Sequence, residues 1–138
     1  MYRYGEQFRA FIGVTAFEEL CRRWVIAQAR TKKLPFLPET VGSHWATDAQ
    51  VDVVAVNWRE KTILLGECKW GENVVSRAVI RELIEKSPLV IPGEDWKVYF
   101  AFFARAGFTE AARAEGQLHD AWFVDLEQLD TDLTLANL

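Results

Sequence analysis

Two strand-favouring runs, Val51-Asp52-Val53-Val54-Ala55-Val56-Asn57 and Thr62-Ile63-Leu64-Leu65, are separated only by Trp58-Arg59-Glu60-Lys61. A connection that short joins neighbouring strands only as an antiparallel hairpin. Centred between Arg59 and Glu60, the hairpin sets Asn57 opposite Thr62, Val56 opposite Ile63 and Val54 opposite Leu65. Val54, Val56, Ile63 and Leu65 then share one face, and Val51, Val53, Ala55 and Leu64 the other. A sheet that is apolar on both faces must be covered on both, so these strands belong at the centre of a domain.

The flanking sequence supplies the covers. Before the hairpin, Phe8, Phe11 and Ile12, then Phe17, Leu20, Cys21, Trp24 and Val25, recur at helical spacing. Gly13 is expected to interrupt this helix, and Thr15 with Glu18 to open a second piece through a capping box, reaching about Arg30. Pro35 and Pro38 end helical continuity, with Phe36 to Val41 expected as a short edge strand and Gly42 to Asp48 as a turn or second strand. After the hairpin, Val75, Val79, Ile80, Leu83 and Ile84 form one stripe of a helix within Val74–Lys86. Trp96–Phe103 is the next strand, Glu110–Glu115 a short helix capped by Thr109, Ala121–Val124 the last strand and Asp125–Leu129 a helical turn. The order predicts an α/β fold with a mixed central sheet flanked by helices, an αβββαβ core with additions. Residues 1–12 are expected as an N-terminal linker helix and 13–138 as the domain.

Composition narrows the functional classes. A chain of 138 residues, half of them hydrophobic, suits one domain with a real core. A net charge of −4 gives no overall electrostatic footprint for nucleic acid, which leaves only a local basic patch for that purpose. Cys21 and Cys68 form no Cys-x-x-Cys pair, which argues against zinc ligation and fits a reduced compartment. No run is long and apolar enough for a membrane span or the core of a signal peptide, so the cytoplasm is the expected location, with no membrane partner.

Against this background, Gly66-Glu67-Cys68-Lys69-Trp70 at the end of the hairpin is conspicuous. Glu67 and Lys69 lie on one face by alternation, and Cys68 on the other as packing. The hairpin register extends to place Asp52 opposite Glu67. Facing carboxylates in adjacent strands repel unless a cation or proton intervenes, and a divalent metal is the economical explanation. Trp70 is expected to pack on the start of the following helix. Arg77 and Arg81, one helical turn apart, are candidate contacts to a nucleic-acid backbone.

Asp52, then fourteen residues, then Glu67-Cys68-Lys69 between two helices resembles the PD-(D/E)XK nuclease superfamily, the restriction-endonuclease-like fold. More narrowly, Phe17-Glu18, Gly42 and Trp45, Val51-Asp52-Val53-Val54, Gly66-Glu67-Cys68-Lys69-Trp70 and Gly107-Phe108 are similar to the C-terminal domain of archaeal-type ATPases. That is a family of unknown function found also in bacteria. The superfamily's customary proline before the aspartate is Val51 here.

The resemblance implies Mg²⁺ or Mn²⁺ held by Asp52, Glu67 and the backbone carbonyl of Cys68. It implies Lys69 acting on the attacking water and the phosphate, and Glu18 completing the acidic site. The reaction would be metal-dependent hydrolysis of nucleic-acid phosphodiesters, DNA ahead of RNA. The rival is a catalytically silent module of the same fold that docks on a protein partner. A Walker-type loop is absent from the chain, so an ATPase module would lie elsewhere in a longer chain or in a partner, and the chain reads as a fragment or a free-standing relative. A homodimer would suit double-strand cleavage.

Overall fold

The computed structural model describes residues 2–136, with side-chain positions described for 13–136. The elements run α1 (Tyr2–Arg30), β1 (Thr40–Trp45), β2 (Gln50–Asn57), β3 (Thr62–Lys69), α2 (Arg77–Lys86), a 3-10 turn at Ser87–Leu89, β4 (Lys97–Ala104), α3 (Glu110–Gln117), β5 (Trp122–Asp125) and α4 (Leu126–Ala136). Five strands make one mixed sheet in the order β1-β2-β3-β4-β5. The first two pairings are antiparallel and the last two parallel. The helices α2 and α3 return the chain between the parallel strands, as a parallel pair requires.

The central hairpin has the register its apolar residues dictate: Asn57 pairs with Thr62, Val56 with Ile63 and Val54 with Leu65. Its loop is Trp58–Lys61, closed by the Glu60 amide donating to Asn57 Oδ1 at 2.8 Å, with Lys61 at φ 52°. On one face Val53, Ala55, Leu64 and Phe103 pack under Phe17, Cys21, Trp24 and Val25 of α1 and Leu129 of α4. On the other, Val56, Ile63, Leu65 and Phe102 pack under Ile80 and Leu83 of α2 and Ala112 of α3. The sheet is thus buried on both sides, as its strands demand. The expected Thr109 cap is present, its Oγ1 accepting the Ala112 amide at 3.0 Å.

Four expectations are corrected. First, α1 is a single helix through Gly13 and Thr15, so no capping box starts there. One helical glycine costs only about 1 kcal/mol, which the packing of the Phe17–Val25 segment outweighs. Gly13 serves close approach instead, since a Cβ there would meet Trp70 Nε1 at 2.5 Å. The expected linker helix is continuous with α1 in its backbone; Met1 and the side chains of Phe8, Phe11 and Ile12 lie outside the described residues.

Second, the edge strand is Thr40–Trp45, because Phe36 is withdrawn into the core and stacks on Tyr99 with ring centroids 5.9 Å apart. Third, the last helical turn is an 11-residue helix, α4. It is anchored to α1 by Trp24 Nε1 donating to Asp132 Oδ2 at 2.8 Å. Fourth, Val51 does not share a face with Val53: it lies in the core beneath α2 and α3.

Gly116 of α3 lies against the Phe123 ring, which is wedged between Phe102 and Phe108. A Cβ at Gly116 has no room without displacing that ring. We predict that Gly116→Ala destabilises the domain by about 1–3 kcal/mol, overpacking exceeding the helix-propensity gain of about 1 kcal/mol. Urea denaturation checks this, and a midpoint at or above wild type would show that the ring is free to move.

Candidate active site

Because β2 runs antiparallel to β3, while β4 and β5 run parallel to it, one end of the sheet gathers the start of β2 and the ends of the other three. In open α/β sheets the carboxyl ends of parallel strands are where ligands bind. Asp52, Glu67, Cys68 and Lys69 stand there, and α1 brings Glu18 and Arg22 across the same end. A β-bulge sets the position of Asp52. Gly42 pairs with Val54 and His44 with Val51, so two steps on β1 match three on β2. The pleat slips by one residue, turning Val51 toward α2 and Asp52 toward α1.

The consequence is a geometry different from simple opposition. The ladder between β2 and β3 ends at Val53 and Gly66, so Asp52 and Glu67 are not a paired couple. Instead Asp52 is buried and its Oδ2 accepts the Cys68 amide at 2.9 Å. Its carbonyl oxygen accepts from Arg22 Nη1 at 3.1 Å. The side chain reaches past the end of the ladder onto the backbone of the neighbouring strand. The charge of Asp52 nonetheless reaches Glu67 and raises its carboxyl, second to the effect of burial.

Glu67, in step with Ile63 and Leu65, points to the α2 side. Its side chain is only 15% exposed, with Lys69 Nζ at 3.7 Å. Lys86 Nζ, from the last residue of α2, lies 3.5 Å from its other oxygen. Burial raises the Glu67 carboxyl from 4.5 to about 7, with the charge of Asp52 adding to the rise and Lys86 and Lys69 opposing it. Glu18 is also raised, by burial first and then by Asp52, with Arg22 opposing. Glu18 is thus in the field of the site, and with no helix starting at Thr15 it has no capping duty.

Burial pushes the Cys68 thiol well above its ordinary range, helped by a hydrogen bond with Cys21 and by the charges of Asp52 and Glu18. The thiol is turned from Glu67, as alternation requires, yet it lies within the field of the other two carboxylates. A protonated, buried thiol is packing and not a nucleophile. Among the described residues, no three His, Cys, Asp or Glu side chains are grouped to hold a metal ion. Oxygen donors at this end of the sheet include the Asp52 and Glu67 carboxylates and the Cys68 carbonyl, with Glu18 nearby on α1.

Other expected residues fall elsewhere. Arg81 is paired with Glu115 of α3. With the exposed Arg77 it borders an open cleft of about 710 Å³ between α2 and α3. The residue of α2 that reaches Glu67 is Lys86, missed in the sequence although it sits one turn beyond Leu83 on the buried stripe. Arg22, four residues after Glu18, was likewise detectable by spacing. Trp70 packs on α1 and not on α2: its ring is 5.2 Å from Phe17, and Arg105 lies over it at 4.6 Å. Parity explains this, since residue 70 shares the face of Cys68.

Residues 1–83, and so Glu18, Asp52, Glu67, Lys69, Arg77 and Arg81, match the family DUF234, described as "Archaea bacterial proteins of unknown function". The chain is also 29% identical over 91 residues to the uncharacterized protein MJECL04 of Methanocaldococcus jannaschii, which covers 64% of this chain. It spans only 20% of that relative's length. No solved structure matches the chain. With more than half of its length matched, this chain belongs to the DUF234 family of archaeal and bacterial proteins.

Proposed function

We propose that the chain is a restriction-endonuclease-like domain that hydrolyses nucleic-acid phosphodiesters with a divalent metal at Asp52 and Glu67. The observation that carries this reading is the grouping at one sheet end of Asp52, held on the Cys68 amide at 2.9 Å, and Glu67, with Lys69 at 3.7 Å, where burial and Asp52 raise the Glu67 carboxyl. Strongly displaced carboxyls gather where a ligand or a reaction needs them. The donor set fits Mg²⁺ or Mn²⁺: two carboxylates and the Cys68 carbonyl are hard oxygens. Mg²⁺ is usually held by one or two carboxylates, with waters and substrate phosphates completing its shell. When bound, the ion would supply Lewis-acid activation of water and neutralisation of the phosphate.

The chain's own groups have separable tasks. The Cys68 amide fixes one oxygen of Asp52 and leaves the other for a ligand. Lys69 is the more exposed of the two lysines at Glu67, 46% against 21%, and is the one placed to meet a phosphate or an attacking water. Glu18, whose carboxyl is raised by burial and by Asp52, would assist at the α1 side. DNA is the proposed substrate ahead of RNA. An ATPase core in the same or a partner chain, and a homodimer for double-strand cleavage, remain part of this proposal.

One observation favours a second reading, a silent docking module. Lys86 and Lys69 already flank Glu67 and offset part of its charge without a metal. The readings diverge on one experiment. We predict that the wild type binds Mn²⁺ by calorimetry and cuts a panel of DNA and RNA substrates, while Glu67→Ala loses both. Lys69→Ala is expected to keep Mn²⁺ binding and lose cleavage by roughly 10²–10⁴-fold, the usual weight of a positioned proton-transfer group. A wild type that neither binds Mn²⁺ nor cuts leaves the docking module.

Glu67 also carries a stability signature. Its folded value of about 7 lies above its ordinary 4.5, so between those values the folded state holds more protons than the unfolded one. Stability attributable to this group is therefore greatest below about pH 4.5 and is lost as pH rises to about 7, by on the order of 3 kcal/mol. We predict that Glu67→Gln is more stable than wild type at pH 8 in metal-free buffer, and that the gain shrinks toward pH 5. Urea denaturation at both pH values measures it, and an equal difference at the two would remove the assigned cause.

A further inference from the structure

Arg105 is the first residue after β4. Its amide donates to the Lys69 carbonyl at 3.0 Å, which continues the pairing of Lys69 with Ala104 and seats Arg105 beside the lysine of the site. Its guanidinium lies 4.6 Å above the centre of the Trp70 ring. That ring packs against the tilted ring of Phe17, 5.2 Å away, and its Nε1 edge lies close to Gly13. A guanidinium held over an aromatic face has given up some of its rotamer freedom while keeping its N–H fork for a ligand. That fork matches two oxygens of a phosphate.

The charge of Arg105 is left over. Asp125, Glu127 and Asp130, from β5 and α4, line with it an open cleft of about 640 Å³. Among the described residues, however, none of them forms an ion pair with it. The result is an exposed cation without a close ion pair, on the α1 side of the sheet end one strand from Lys69, which lies on the α2 side, with acids bounding it toward α4. Those acids repel a phosphate chain and close off that direction.

We propose that Arg105, on its Trp70 platform, binds a backbone phosphate of nucleic acid next to the one that Lys69 meets. This rests on the nuclease reading and adds to it a binding residue and a direction for the strand, from Arg105 across Lys69 and away from α4. Arg105 acts by holding substrate and takes no part in bond cleavage.

The test is fluorescence anisotropy with labelled single- and double-stranded DNA, over a salt series of about 50–200 mM. The proteins compared are wild type, Arg105→Gln, Arg105→Lys and Arg59→Gln. Arg59 lies in the β2–β3 turn at the opposite end of the sheet and serves as a control. We expect Arg105→Gln to bind roughly tenfold more weakly and to lower the salt slope by about 1, the mark of one lost phosphate contact. Arg105→Lys should restore the slope but only part of the affinity, and Arg59→Gln should match wild type.

Wild-type slope and affinity in Arg105→Gln overturn the assignment while leaving the nuclease reading intact. Weakened binding with an unchanged slope also overturns it, because Arg105 would then act only by supporting Trp70. A wild type that binds none of the oligonucleotides overturns the nuclease reading and this assignment with it. The charge-conserving Arg105→Lys keeps the comparison informative should Arg105→Gln disturb folding.

Discussion

The hydrogen bond from the Cys68 amide to Asp52 Oδ2 joins two strands at the point where their ladder has already stopped. At the last paired residues, Val53 and Gly66, the sheet would otherwise fray, and the bulge in β2 would leave Asp52 without a fixed direction. One carboxylate closes that end and accepts a backbone donor that needs a partner. It also puts a negative charge where Glu67 and Glu18 both respond to it. Burial is the larger cause of the Glu67 rise, and the placed charge of Asp52 adds to it, while Arg22 steadies the same residue from α1.

The hairpin was legible because parity is a strict code. Four apolar residues on one face of two short strands exclude any one-residue slip, and a two- or four-residue turn centred between Arg59 and Glu60 gives the same register. The bulge was not legible, because it depends on how β1 pairs with β2, and β1 offers only Thr40-Val41-Gly42-Ser43-His44-Trp45. In that strand Gly42 and Ser43 weaken any apolar pattern. Extending the hairpin register to Asp52 therefore brought Asp52 and Glu67 to one end of the sheet with the wrong contact between them. The helix break at Gly13 failed for a related reason. Local propensity is worth about 1 kcal/mol there, and the indole of Trp70, far away in sequence, decides the matter.

Charge compensation explains why such a site can persist in a fold of modest size. Glu67 lies between a lysine of its own strand and a lysine from the end of α2, and neither would neutralise it as well alone. Lys86 could be found only by noticing that the buried stripe of α2 does not stop at Leu83 and Ile84. Arg77 and Arg81, more visible in the sequence, are spent on the cleft between α2 and α3, where Glu115 takes one of them.

The bulge that turns Asp52 also has a bearing on solubility. β1 is an outer strand of the sheet, and an outer strand offers unpaired backbone groups to any passing chain. By setting two residues of β2, Asp52 and Val53, against Ser43 of β1, the irregularity twists that border and shortens the flat stretch on which a foreign strand could zip up. The opposite border, β5, has only four residues. A single backbone irregularity thus orients a carboxylate on its inner side and guards against edge-to-edge aggregation on its outer side.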